Sequence, residues 1–91
     1  MVDKGRKKGT ARFAFKPDNG ARVVELAGSF NQWQPIRMRK QKNGSFVSVV
    51  PLADGTHEYK FIIDGEWTVD PDNNAWAMNS YGTLNSTLTV A

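Results

Sequence analysis

The sequence predicts an all-β sandwich, and three observations carry that expectation. Gly, Pro, Asn and Asp punctuate the chain roughly every eight to twelve residues, with short runs of alternating apolar and polar side chains between them. No stretch sustains the 3.6-residue period of an amphipathic helix. At 91 residues the chain builds one core, burying roughly two-thirds of the surface of its unfolded form. A shallow surface site suits that size better than a deep polar pocket, which would consume core volume.

The candidate strands are residues 10–16, 22–27, 44–51, 55–63, 66–69 and 83–90. In the first, Phe13 and Phe15 alternate with Arg12, Ala14 and Lys16, so one face buries aromatics. Asp18-Asn19-Gly20 turns the chain into the second, where Val23, Val24 and Leu26 make a nearly continuous apolar run. The third, with Phe46 and Val47 to Val50, reads the same way, and both are expected to be central.

The fourth and fifth strands meet at Asp64-Gly65, a pair that favours a two-residue type I′ turn and so sets the cross-strand register. Ile63 then faces Glu66, Ile62 faces Trp67, Phe61 faces Thr68 and Lys60 faces Val69. Lys60, Ile62, Trp67 and Val69 share one face, and Tyr59, Phe61 and Ile63 take the other. With the second set in the core, Trp67 lies on the outer face with the Lys60 ammonium diagonally near it. In the last strand Leu84, Leu88 and Val90 point inward with Ser86 as a polar exception. Thr83, Asn85, Thr87 and Thr89 then point outward, which sets Thr83 and Asn85 beside a solvent-facing tryptophan.

Composition excludes several chemistries. The chain has no cysteine, which removes disulfides, cysteine-bound zinc and thiol nucleophiles, and one histidine, His57, cannot build a multi-histidine metal site. No catalytic residue, metal or cofactor is expected. The net charge of +3 owes much to Lys4, Arg6, Lys7 and Lys8, four of twelve basic residues. Residues 1–9 read as a basic, flexible tail ahead of a domain at 10–91, and nucleic acid is not expected as a partner. No apolar run has the length of a signal peptide or membrane span, so the expected location is cytoplasmic.

A glucose ring has C–H-rich faces and a rim of hydroxyls, so its receptor wants a flat aromatic surface under the ring and hydrogen-bonding groups at the edge. Trp67 supplies the first, and Lys60, Thr83 and Asn85 the second. Tryptophan in a small sandwich also serves as core filler, and from the residues alone Trp33, Trp67 and Trp76 admit both readings. Tyr81, before Gly82, either closes a turn or touches ligand. Asp64, Glu66 and Asp70 read as turn and strand-edge residues, and no carboxylate pair is placed for catalysis.

Four motifs now stand in order: Leu26-Ala27-Gly28-Ser29-Phe30-Asn31-Gln32-Trp33, the run from Gly55 through His57-Glu58-Tyr59-Lys60-Phe61 to Asp64-Gly65-Glu66-Trp67, then Asp70-Pro71, then Tyr81-Gly82-Thr83-Leu84-Asn85-Ser86. From about Ala21 to Val90 the chain resembles the family 48 carbohydrate-binding modules. That family includes kinase-type glycogen-binding domains and the early-set N-terminal domains of isoamylase and branching enzymes. The resemblance implies an immunoglobulin-like early-set β-sandwich that binds α-1,4-linked glucan (glycogen, starch or maltooligosaccharide) without catalysis.

It assigns sugar contact to Trp33, Lys60, Trp67, Thr83 and Asn85. It places Tyr81 where kinase-type domains carry a leucine that protrudes through the sugar ring, so Tyr81 stacks there or packs. The loop 72–80, with Trp76, departs from that pattern. A glycogen- or starch-metabolising enzyme or kinase is the implied protein partner. The alternative is a regulatory protein-interaction module with no sugar ligand, whose exposed aromatics dock another protein.

Overall fold

The structure, a computed structural model, describes residues 2–4, 9–17 and 20–90. Among these the strands are β1 (Val2–Lys4), β2 (Thr10–Phe15), β3 (Val24–Gly28), β4 (Ile36–Arg37), β5 (Arg39–Lys40), β6 (Phe46–Pro51), β7 (Gly55–Ile63), β8 (Glu66–Thr68), β9 (Trp76–Met78) and β10 (Leu84–Val90). They form a two-sheet sandwich, paired antiparallel throughout. One sheet runs β1-β2-β6-β5 and the other β4-β3-β7-β10-β9, with β8 also pairing to β7. The strands expected from alternation are present with ends shifted by at most two residues. The additions β1, β4, β5 and β9 are two or three residues long, too short to display a period.

Of the segment expected to be a flexible tail, residues 1 and 5–8 lie outside the described residues, as do Asp18 and Asn19 of the first turn. Within that segment Val2–Lys4 form the short strand β1. These residues pair with β2, Val2 opposite Phe13 and Lys4 opposite Ala11, satisfying backbone groups on an edge that β2 would otherwise leave open.

Between β4 and β5 the chain crosses from one sheet to the other in a single residue. Met38 marks the crossing: it is buried, and its N–H donates to the Val24 carbonyl at 2.9 Å. Arg37 pairs with Glu25 on one side and Arg39 with Val47 on the other.

Aromatic packing joins the sheets. Phe13 meets Tyr59 edge-on at 5.0 Å between ring centroids, and Phe15 stacks on Phe61 at 5.2 Å. Val24, Leu26 and Phe46 complete the interior, with Leu88 and Val90 against its margin. Leu84 departs from its expected place in the core. It is 40% exposed and pairs with the exposed Met78 of β9. β6 is interior to its sheet but shows one face to solvent, Val49 being exposed.

β7 carries the site and is the longest strand. β3 pairs along one edge from Tyr59 to Ile63, while the other edge is shared: β10 takes Gly55 to Tyr59 and β8 takes Phe61 to Ile63. Lys60 sits where these two partners meet. The β7–β8 register is the one that Asp64-Gly65 dictates, with Asp64 at φ 49° and Gly65 at φ 89°. Asp64 adds a second function, since its carboxylate accepts the Val23 N–H at 2.9 Å and the Arg22 N–H at 3.1 Å, tying the hairpin to the start of β3.

A polar cluster closes one end of the core, and it corrects the reading of Asp70 as a strand-edge residue. Asp70 is 1% exposed and accepts the Tyr59 hydroxyl at 2.7 Å. The Ser86 hydroxyl accepts the Asp70 N–H at 2.7 Å, and the Asn73 amide donates to Tyr59 Oη at 3.0 Å and to the Thr87 carbonyl at 2.8 Å. Ser86 is thus buried because its partner is buried with it.

Burial pushes the Tyr59 phenol far above its ordinary value near 10, with the Asn73 amide opposing and the Asp70 carboxylate reinforcing the shift. Below about pH 10 the phenol is neutral in both states and contributes no pH dependence. Above it the unfolded phenol ionises first, so the unfolded state binds fewer protons and stability falls with rising pH. The expected result is a thermal midpoint that declines above roughly pH 10 more steeply in the wild type than in Tyr59→Phe. Equal slopes in the two proteins would refute the shift.

Phe61→Ala removes a fully buried ring between the sheets. It is expected to cost about 3–5 kcal/mol, a large part of the stability of so small a domain, read as the shift in a urea unfolding curve.

Candidate functional site

The outward face of β7 presents Glu58, Lys60 and Ile62. Trp67 on β8 stands opposite Ile62 and is half exposed, as the hairpin register requires. Trp33 arrives from the loop after β3. There a 3-10 turn, Ser29–Asn31, is followed by two non-glycine residues in the left-handed region, Gln32 and Trp33, each at φ 58°. Such backbone costs about 1–3 kcal/mol per residue and persists only where its surroundings impose it.

The Gly-Ser-Phe-Asn-x-Trp motif supplies those surroundings. Asn31 Oδ1 accepts the Gly28 N–H at 3.1 Å, its Nδ2 donates to the Gln34 carbonyl at 2.9 Å, and the Trp33 N–H donates to the Gly28 carbonyl at 3.0 Å. Phe30 packs on the core beside Phe13, 5.6 Å between centroids. The Ser29 hydroxyl accepts the Glu58 N–H at 3.1 Å. Gly28 is required by space: a Cβ there would meet the Phe30 ring and sit 2.7 Å from the Glu58 carbonyl oxygen. Every named residue of the motif thus helps to fix the loop that carries Trp33.

The opposite wall is the β9–β10 hairpin. The Asn79 N–H donates to the Thr83 carbonyl at 2.8 Å and the Gly82 N–H to the Asn79 carbonyl at 3.1 Å, with Gly82 at φ 80°. This is a three-residue loop closed by a left-handed glycine. Tyr81, at its tip, is 90% exposed. Thr83 Oγ1 accepts from Lys60 Nζ at 3.3 Å, which ties the hairpin to β7. Asn85 was expected to face solvent. It points to the outer side as parity requires but is buried, its Nδ2 donating to Glu58 Oε1 at 2.9 Å and its Oδ1 accepting from Asn79 Nδ2 at 3.1 Å.

Between the walls lies an open groove of about 700 Å³, and Trp33, Lys60, Trp67, Tyr81, Thr83 and Asn85 all line it. Sequence reasoning brought these six together but missed Ser29, Glu58, Met78, Asn79 and Ser80, which line it too. Glu58 had a readable signal, since it is two residues before Lys60 and shares its parity. Met78, Asn79 and Ser80 belong to a hairpin whose first strand is too short to read. Trp76, on β9, is exposed and does not line the groove. Two indole surfaces flanking ammonium, hydroxyl, amide and carboxylate groups can hold a flat apolar ring by its faces and a hydroxyl rim by its edge. Among the described residues no group of three His, Cys, Asp or Glu side chains is placed to hold a metal ion.

Comparison with known proteins places the chain among relatives. Residues 11–91 match the family model described as the glycogen recognition site of AMP-activated protein kinase. The 5'-AMP-activated protein kinase subunit beta-1 of Sus scrofa is 37% identical over 76 residues, covering 84% of this chain and 61% of that sequence. The Homo sapiens subunit beta-1 shows the same identity and the same coverage of this chain, with 27% of its own length matched. The chain therefore spans less than two-thirds of the curated relatives it matches. Among solved structures, a maltogenic amylase from S. marinus superposes with a TM-score of 0.78 at 24% identity over 100% of this chain and 16% of that enzyme. A putative alpha amylase from Salmonella typhimurium gives 0.75 at 22% identity over 96% of this chain and 14% of that one. These two likenesses concern the sandwich fold.

Gly28→Ala tests the packing that sets the groove's floor. The new methyl has to displace the Phe30 ring and the β7 backbone at Glu58, so the variant is expected to lose about 1–3 kcal/mol of stability. Chemical denaturation measures it, and an unchanged midpoint would show that the close approach is relaxed in solution.

Proposed function

The chain belongs to the glycogen recognition family of AMP-activated protein kinase, a family of carbohydrate-binding modules, and on that premise we propose that its groove holds an α-1,4-linked glucan on Trp33 and Trp67. The single observation that carries the proposal is the pair of tryptophans lining one groove together with Lys60, Thr83 and Asn85. In this reading the indoles stack under successive glucose rings and the three polar residues bond the hydroxyl rim. Tyr81, at the exposed loop tip, stacks on a further ring. Glycogen, starch and maltooligosaccharides are the candidate ligands.

The role is binding without catalysis. Glycoside hydrolysis ordinarily needs two carboxyl groups flanking the scissile bond. Glu58 is the one carboxylate among the groove-lining residues, and it already accepts the Asn85 amide. No metal or cofactor enters this account. Stacking on open platforms, with hydrogen bonds that compete against water, gives a Kd of roughly micromolar to millimolar for short oligosaccharides, about −4 to −8 kcal/mol. The ligand is uncharged, so affinity responds little to salt.

The finer setting is also a proposal. A cytoplasmic module of this kind would hold a glycogen- or starch-metabolising enzyme or a kinase on the polysaccharide. Among the described residues no helix is long and apolar enough to cross a membrane. A second reading, a protein-interaction module without a sugar ligand, is favoured by Trp76 and Met78, which leave apolar surface exposed on β9.

Trp67→Ala and Trp33→Ala separate the readings. Each is expected to abolish most retention on glycogen while changing stability by about 1 kcal/mol or less for Trp67, whose side chain is half exposed. Native-gel retardation in glycogen, run beside thermal melts, measures both. Full retention by both variants, or loss only through melting, would sink the platform and favour the interaction module.

A further inference from the structure

Two of the groove's polar side chains, Thr83 and Asn85, take their direction from one side chain that no motif singled out. The Asn79 amide is fully committed within the free protein. Its Oδ1 accepts the Tyr81 N–H at 2.9 Å and the Thr83 N–H at 3.1 Å. Its Nδ2 donates to Thr83 Oγ1 at 2.7 Å and to Asn85 Oδ1 at 3.1 Å. The Asn85 Nδ2 in turn donates to Glu58 Oε1 at 2.9 Å.

The direction of this chain is unambiguous. It begins at two backbone N–H groups, which only donate, and it ends at a carboxylate, which accepts. Rotating either amide by half a turn would set nitrogen against N–H at one end or oxygen against carboxylate at the other. The orientations of Asn79 and Asn85 are therefore dictated by their neighbours.

Thr83 inherits the same constraint. Its oxygen accepts from Asn79 Nδ2 at 2.7 Å and from Lys60 Nζ at 3.3 Å, so its own proton is turned away from both and is free to donate into the groove. Asn85 keeps one N–H, and Lys60 keeps two, beyond the bonds already described. Around Thr83 the groove thus presents donors, with Glu58 as the acceptor beside them.

We propose that Asn79 is a positioning residue, which fixes the Thr83 hydroxyl and the Asn85 amide as donors before the ligand arrives. The inference rests on the glucan reading above. The ligand it selects is a polyol whose oxygens face Thr83, Lys60 and Asn85 and which turns a hydroxyl proton toward Glu58. A vicinal diol on a glucose ring meets both demands, since each hydroxyl accepts and donates at once. Bonds aligned in advance cost less ordering on binding, which raises the affinity that a shallow site can reach.

Asn79→Asp tests this with minimal change of shape. The carboxylate still accepts from the Tyr81 and Thr83 N–H groups, so the loop keeps its anchor. It offers no donor to Thr83 or Asn85, so the Thr83 proton turns to the new carboxylate and away from the groove. Titration calorimetry of the 91-residue chain with maltoheptaose is expected to show affinity weakened about tenfold, and by threefold or less when Asn79→Asp is made in a Thr83→Ala background. Wild-type affinity in Asn79→Asp, or the same tenfold loss in both backgrounds, would overturn the proposal.

A second measurement needs no variant. In the ligand-free wild type the side-chain amide protons of Asn79 and Asn85 are expected to exchange with water at least tenfold more slowly than those of the exposed Asn43. Exchange as fast as that of Asn43 would overturn the proposal even if Asn79→Asp fails to fold. A wild type with no affinity for maltoheptaose would instead sink the glucan reading, and the exchange rates would still decide whether Asn79 orders the groove.

Discussion

The pleat of β7 is the constraint on which the rest depends. Consecutive residues of a strand point to opposite faces, so a single register sends Tyr59 and Phe61 into the core and Glu58 and Lys60 into the groove. A slip of one residue would exchange the two sets, burying an ammonium and a carboxylate while exposing two large aromatics. The Asp64-Gly65 turn pins that register at one end and the Asp64 carboxylate fastens it to β3. Stability and binding are therefore set by the same hydrogen-bond ladder, and no separate scaffold is needed for the site.

On the proposed reading, a surface this open depends on holding its two tryptophans still. Lost rotamer and backbone freedom would otherwise consume much of the small free energy available from stacking. Trp33 illustrates how the chain meets that demand. Two left-handed residues in succession would relax in an unsupported loop, and Asn31 prevents it by clasping Gly28 on one side and Gln34 on the other. Trp67 needs no such device because β8 is part of the sheet. One tryptophan is thus held in strained backbone by the hydrogen bonds of its loop, the other by ordinary strand pairing.

The parts of this architecture that were legible in the sequence are those governed by local rules. The alternation of Phe13 and Phe15, and the Asp-Gly turn with its register, follow from the pleat and from φ preferences alone. The grouping of Trp33 with Lys60, Trp67, Tyr81, Thr83 and Asn85 came from parity joined to family resemblance. Parity gave the side of β10 on which Asn85 lies but not its burial, because burial depends on the β9 hairpin and Glu58 closing over it. It gave an inward direction to Leu84 but not its exposure, since Leu84 stands outside the core cluster that Leu88 and Val90 pack against. Asn79 carried a turn signal at most, and its fourfold bonding becomes visible only once Tyr81, Thr83 and Asn85 are folded around it.

The two polar clusters meet on β10, and their adjacency explains how a wall of the groove stays in place with little apolar packing. Ser86 and Asn85 are consecutive, so they face opposite sides of the sheet. Ser86 accepts the N–H of buried Asp70, which in turn receives the Tyr59 hydroxyl. Asn85 bonds Glu58 and Asn79 on the other side. Tyr59 and Glu58 are themselves neighbours on β7, so each cluster links the same two strands from its own face. Apolar contacts would allow β10 to slide by small amounts at little cost, whereas directional bonds on both faces penalise any displacement along the strand. The groove-side cluster thus has two effects, since the bonds that direct its donors are also the clamp that holds β10 and its hairpin against β7.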